Sequence, residues 1–372
     1  GCTGTDSMSL YTNPIPIADF TVDTPCLGFV NNFTDLSLGL NTGWYWTFGD
    51  GDTSSLQNPS HLYLADGTYN TTLLVTTDSG CTDTIQKPVV VYPIPNVAFS
   101  VNNVCLYDTA YFIDNTTINS GGLAFWNWNF GDTSVSIIQN PSHLYSSSGT
   151  YNITLIVTSD QNCTDTLVKG LVINPSPAAE FSTSNVCRYD TAFFTDSSSI
   201  ITGNVVAWNW NFGDSNLSVL QNPDNLYSTD GTFNVSLIVT SDSGCLDSIT
   251  HTIVIHPIPV AYFTTNDVCV YDPASFNDSS YVNQPGSVVS WNWDFGDNFI
   301  SSSQNPSHLY QTYDTLVIQL IVTTDSGCVD TVYGGIIIHP QPEIWFVADT
   351  TKGCEPFCVQ FSDLSSIPGN YS

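Results

Sequence analysis

Basic residues are almost missing from this chain of 372 residues: Lys87, Lys169, Arg188 and Lys352 stand against 34 acidic side chains. The formal net charge of -30 argues against nucleic acid as a partner, because phosphate binding depends on Lys and Arg. It argues equally against unassisted docking on anionic lipid, and in favour of solubility. Glu is nearly absent too, occurring only at 180, 343 and 355, so the acid is Asp. No apolar run reaches the length of a membrane-spanning helix, and no basic-then-apolar leader opens the chain. No stretch carries a helical hydrophobic period. No Cys-x-x-Cys or Cys/His cluster marks a zinc site, and no positioned base marks a hydrolase. Charged residues make up only 10% of the chain, whereas 41% is hydrophobic and 13% aromatic. That balance describes folded, strand-rich material rather than a disordered acidic tail.

One block is written four times. Trp46-Thr47-Phe48-Gly49-Asp50 recurs as Trp128-Asn129-Phe130-Gly131-Asp132, as Trp210-Asn211-Phe212-Gly213-Asp214 and as Trp293-Asp294-Phe295-Gly296-Asp297. The Phe positions step by 82, 82 and 83 residues. A fixed period of this size signals an array of like units. Such an array suits reach and multivalency better than a single active site.

Pro-x-Pro steps open each block, at Pro14, Pro93, Pro175, Pro257 and Pro340. Paired prolines fix the backbone in an extended path, so the linkers should be short and stiff, with neighbouring domains end to end. The boundaries fall at 14–92, 93–174, 175–256 and 257–339, with 1–13 as the end of a preceding repeat and 340–372 as the start of a further one. These partial copies do not add up to a whole repeat, which gives the expectation of a window from a longer array. Within each block, runs such as Gly149–Thr158 alternate apolar and polar residues, and turn-forming clusters separate short strands. Trp128 and Phe130 are two apart and share one face, fitting an inter-sheet core. Gly131 and Asp132 fit a turn that needs permissive dihedrals and a side-chain acceptor. Tyr63, Tyr145, Tyr227 and Tyr310 fit corner residues bonded to the backbone.

Trp-x-Phe-Gly-Asp, Asn-Pro-Ser-His-x-Tyr and Gly-Thr-Tyr-x-x-x-Leu-x-Val together resemble the PKD domain, in the Cys-bearing variety of secreted and surface proteins of the Bacteroidetes. The resemblance covers all four copies. It implies an all-β fold of tandem immunoglobulin-like sandwiches stacked as a rod, an extracellular or cell-surface location, and a spacer, adhesive or filament-forming role without catalysis. Two departures stand out: Asn225 replaces the His of the other copies (His61, His143, His308), and Thr312-Tyr313-Asp314 replaces Gly-Thr-aromatic.

Eleven cysteines at regular places argue for disulfides and an oxidising compartment. In such a sandwich, Cys105 follows the first strand and Cys163 lies in the hairpin after the sixth. Strands of this length place the two over ~20 Å apart, whereas a disulfide needs Cα atoms within about 7 Å. The expectation is therefore bridging between domains: Cys26–Cys163, Cys105–Cys245 and Cys187–Cys328. Cys81 would reach back to an earlier domain and Cys269 forward to a later one. Pairs within a domain and links between molecules remain the alternatives.

Asp50, Asp52, Asp132, Asp214 and Asp297 are candidates for Ca²⁺, although one or two carboxylates in a turn fall short of the six to eight oxygens calcium takes. Turn-capping is the simpler role, and no cofactor is otherwise implied. Asn-x-Ser/Thr occurs nine times, including Asn70, Asn152 and Asn234. Asp-Ser/Thr-aliphatic recurs at Thr84, Thr109, Thr166, Thr191, Ser248, Thr315 and Thr331, resembling the O-glycan acceptor pattern of Bacteroidetes surface proteins. An Asp-Thr strand opening accounts for the same pattern structurally.

The functional expectation is a non-enzymatic fibre, stalk or surface filament whose partners are copies of itself, surface glycans or host and substrate surfaces. The alternative is a spacer or carbohydrate-binding accessory region of a larger secreted enzyme or adhesin. Exposed Trp44, Trp126, Trp208 and Trp345 would favour that alternative, and burial would disfavour it.

Overall fold

The computed structural model describes residues 8, 12–23, 26–356 and 358–367. Most of the partial copy at 1–13 lies outside them. Among the described residues there is no helix. The chain divides into two compact units, Gly1–Pro175 and Ser176–Ser372, each holding two of the repeats.

The second repeat shows the shared plan. One sheet runs in the order Val135–Ser136, Leu123–Asn129, Gly149–Ser159, Thr164–Asn174, Val104–Cys105, with only the last pair parallel. Opposite it lie two short antiparallel pairs, Phe99–Ser100 with Ile113–Asp114 and Thr109–Tyr111 with Ser142–Leu144. The first strand thus begins on one sheet and ends on the other, which carries Cys105 beside Asn174 at the end of the last strand. The third and fourth repeats repeat this five-stranded order. In the first repeat the corresponding sheets have four and three strands, and Cys26 forms a single parallel bridge with Tyr92.

The alternation in sequence becomes the alternation of burial. Along Gly149–Ser159, Ile153, Leu155, Val157 and Ser159 point inward and their neighbours outward. Each repeat has its own core around a Trp that is wholly buried: Trp46, Trp128, Trp210 and Trp293. Phe rings from the first half of each repeat meet its Trp at tilted or edge-on angles, as Phe99 does Trp128 with centroids 5.0 Å apart, while Phe48 and Phe212 lie nearly parallel to Trp46 and Trp210. A register shift recurs at the same place in every copy, between Asn41 and Gly43, Leu123 and Phe125, Val205 and Ala207, and Val288 and Ser290. Within each unit the prolines at the joint are buried, Pro93 and Pro95 in one and Pro257 and Pro259 in the other. The altered Thr312-Tyr313-Asp314 segment leaves the following strand unshortened, at 11 residues from Asp314 to Thr324.

Candidate functional site

Two disulfides join consecutive repeats inside the units. Cys26 is bonded to Cys163, with Cα atoms 5.8 Å apart. Cys187 is bonded to Cys328, at 5.7 Å. In each, the first cysteine follows the first strand of one repeat and the second lies in the hairpin of the next, between strands such as Gly149–Ser159 and Thr164–Asn174. The hairpin is shaped to present its thiol: Ser159 N–H donates to the Cys163 carbonyl at 2.8 Å, and Cys163 N–H donates to Ser159 Oγ at 3.1 Å. Cys105 and Cys245 are also in disulfides. Free thiols among the described residues are Cys81 and Cys269, both half-buried, and the exposed Cys354 and Cys358.

The second recurring site is the turn after each Trp-x-Phe. Its glycine is required by the backbone: Gly131 has φ of 81°, and a Cβ there would lie 2.9 Å from the Asn152 carbonyl oxygen. Asp132 caps the turn, its Oδ1 accepting from Ser134 N–H at 3.0 Å. Asp50, Asp214 and Asp297 cap theirs in the same way. The other carboxylate oxygen faces the histidine of the Pro-Ser-His segment: His61 Nε2 lies 2.7 Å from Asp50, His143 2.6 Å from Asp132 and His308 2.6 Å from Asp297. Each imidazole stacks on the Phe of its own motif, with centroids 4.1, 4.4 and 4.4 Å apart. Burial would raise the Asp50 and Asp132 carboxyls, but hydrogen bonds from His61 and His143 and from the turn amides hold both below the usual value. Tyr63, Tyr145, Tyr227 and Tyr310 each donate their hydroxyl to the carbonyl of that Phe, at 3.0 to 3.1 Å. Burial pushes the Tyr227 hydroxyl up to about 12 and raises the other three as well. These groups are tied to one another, and none is held as a free base or nucleophile.

Asp52 has no carboxylate counterpart: Ser134, Asn216 and Phe299 stand at its position in the other repeats. Among the described residues, only Asp50, Asp52 and His61 form a group of three possible metal ligands, their donor atoms lying within 4.8 Å of one another. Asp132, Asp214 and Asp297 are not brought into such a group.

A third network has no counterpart among the features expected from sequence. Asp114 accepts the Trp126 indole N–H at 2.8 Å and a Gln139 amide at 3.0 Å, while its own N–H donates to Asn140 at 2.8 Å. Asp35, Asp196 and Asp278 do the same with Trp44, Trp208 and Trp291 and with their own Gln-Asn pairs. Trp44, Trp126 and Trp208 are therefore half-buried with their polar edge bonded, whereas Trp345 is 63% exposed. The Gln-Asn-Pro that precedes each Ser-His or Asp-Asn step was the available signal.

Three of the four basic side chains are held by their own repeat. Lys87 bonds Asp19 and the Phe20 carbonyl, Lys169 the Phe99 carbonyl at 3.1 Å, and Arg188 pairs with Asp230 at 3.1 Å. In the third repeat His251 stands where Lys169 does, 2.6 Å from Glu180 and against Phe181. In the fourth the position is Gly334, and a Cβ there would meet the Phe263 ring at 2.6 Å.

Thr84, Thr109, Thr166, Thr191, Ser248 and Thr331 are exposed, as are Asn70, Asn152 and Asn234. The Asp before four of these hydroxyls ties the first strand to the last. Asp83, Asp165, Asp247 and Asp330 accept from Ala18, Val97, Ala179 and Ala261 N–H respectively.

A family model described as the PKD domain matches residues 13–92, 90–171, 174–257 and 256–333. Among curated proteins, the pre-pro-metalloprotease PrtV of Vibrio cholerae is 27% identical over 158 residues, covering 42% of this chain and 17% of that protein. A microbial collagenase of Vibrio alginolyticus is 32% identical over 87 residues, covering 23% of this chain and 11% of that protein. The chain thus spans less than a fifth of the length of either relative. Among solved structures, the PKD1 domain of Vibrio anguillarum Epp is 24% identical, covers 22% of this chain and 95% of that one, and has a TM-score of 0.21. The four successive matches to one family model span most of the residues, and the chain belongs to the PKD domain family.

Proposed function

We propose that this chain is a mechanical, extracellular part: a run of PKD sandwiches in a stiff fibre, stalk or surface filament, stapled across its joints by disulfides. The observation that carries the reading is the pairing of Cys26 with Cys163 and of Cys187 with Cys328, each joining one repeat to the next. A bridge inside a domain stabilises only that domain, whereas a bridge across a joint also limits bending and rotation there. Buried prolines at the same joints act in the same sense. Disulfides in this number fit an oxidising compartment. The partners are then further copies, or surfaces that the array reaches.

The accessory reading has its own support, since matching segments occur in a metalloprotease and a collagenase. Glycan stacking is disfavoured at Trp44, Trp126 and Trp208, whose indoles face Asp carboxylates at 2.7 to 2.8 Å. Electron cryo-microscopy of the native material separates the two readings. Continuous fibres built of repeated sandwiches support the structural role. Short segments ending in a separate catalytic domain overturn it in favour of the accessory role.

A further inference from the structure

We propose that His61 and Asp52 of the first repeat form a binding site for a divalent transition ion of the zinc class, with Asp50 as the carboxylate behind the imidazole. The carboxylate of Asp50 only accepts hydrogen bonds, so its contact of 2.7 Å makes His61 Nε2 the protonated nitrogen. That leaves Nδ1 as the ring nitrogen that can ligate an ion, and it lies 4.0 Å from Asp52 Oδ2. A ring nitrogen and a carboxylate oxygen thus flank one point, and the donor atoms of Asp50, Asp52 and His61 all lie within 4.8 Å of one another.

The geometry is close to what an ion needs. Bonds of about 2.0–2.2 Å at a tetrahedral angle put two such donors about 3.4 Å apart, so Asp52 has only to close by a fraction of an ångström. It is free to do so, its side chain being 77% exposed. The imidazole is already fixed, with its side chain only 8% exposed, Phe48 stacked on one face and Tyr63 edge-on. A carboxylate that orients a ligating histidine through its other nitrogen raises the basicity of that ligand. One nitrogen and one oxygen suit zinc or its neighbours rather than calcium or magnesium, which take oxygen shells.

The array supplies its own controls. His143 and His308 have the same aspartate behind them and the same Phe beneath, but Ser134 and Phe299 in place of Asp52. The test is a Zn²⁺ titration of the untagged full chain, with free thiols alkylated and histidines labelled with ¹⁵N, read at each imidazole nitrogen. His61 Nδ1 should respond at ion concentrations at least about 10-fold below those that move His143 or His308. Asp52→Ser should abolish that difference, and Ser134→Asp should confer it on His143. Equal responses at the three histidines, no response at millimolar ion, or a His61 ring that stays doubly protonated between its two carboxylates as zinc is added would each overturn the proposal.

Discussion

The third and fourth repeats have matched cores but different polar ties. Each buries a Trp completely, Trp210 or Trp293, and surrounds it with the same pattern of Phe, Tyr and branched aliphatic side chains. Outside the core they diverge. His308 bonds Asp297 and stacks on Phe295, whereas Asn225 reaches Asp214 at 2.8 Å and also accepts from Asn216 at 2.9 Å. His251 clasps Glu180 in one repeat, while Gly334 leaves the same place to Phe263 in the other. The core fixes the sandwich because a buried ring has few substitutes of the same shape. The ties accept replacements, because any donor that reaches the carboxylate satisfies it.

Breaking the shared part should cost most, and equally. Trp210→Ala and Trp293→Ala should each destabilise their own repeat by ~3–5 kcal/mol in denaturant unfolding. A loss confined to one of them would show that the two cores are not equivalent. Cutting the staple between these repeats with Cys328→Ser should cost about 2–4 kcal/mol, seen as earlier unfolding of the pair. It should leave the first two repeats, held by Cys26–Cys163, unaffected.

The pH limits follow from the tied groups. Buried Tyr227 has its folded pKa raised to about 12, so its contribution is complete below the ordinary tyrosine range near pH 10. Unfolding titrations should show stability falling between about pH 10 and about 12, because only the unfolded hydroxyl ionises in that window. Tyr227→Phe should flatten this slope. On the acid side, burial works to raise the Asp196 and Asp278 carboxyls, but their hydroxyl, amide and indole hydrogen bonds lower both below 3.8. Their contribution is present above that value and should be lost as pH falls through the lower folded pKa.

The smaller effects separate the two repeats. His308→Ala leaves the inner oxygen of Asp297 without its partner and should cost about 1–2 kcal/mol. Asn225→Ala should cost less, because Asn216 still reaches Asp214 at 3.1 Å. Asn225→His should be close to neutral if the ties are interchangeable. His251→Ala should fall below ~1 kcal/mol, since the pair it breaks is partly exposed. A loss as large as that from His308→Ala would contradict the ranking of the ties by their exposure.

The sandwich was legible because Trp-x-Phe alternation, turn glycines and the 82-residue step are local signals written four times. The corner role of Tyr63 and its cognates was legible for the same reason, although its acceptor, the Phe48 carbonyl, lies 15 residues upstream. The Asp35–Trp44–Gln57 network was not legible, because its members are spread over 22 residues and only the folded sheets bring them together. The Lys87, Lys169, His251 and Gly334 position was hidden differently: what persists there is contact with the first strand's Phe, not residue type. Asp52 was visible in the sequence as a carboxylate, but its relation to His61 Nδ1 was not, since the intervening turn, and not the sequence spacing, sets how the strand carrying His61 comes back beside it.

Force spectroscopy of the whole chain pulled from its two ends, oxidised and then reduced, tests the stapled array most directly. With the bridges intact, the spans of 137 residues from Cys26 to Cys163 and 141 residues from Cys187 to Cys328 cannot be drawn out. Each span corresponds to roughly 500 Å of extended chain. Reduction should release both, lengthening full extension by roughly 1000 Å. Equal extension before and after reduction would contradict the bridges between repeats and, with them, the proposed mechanical role.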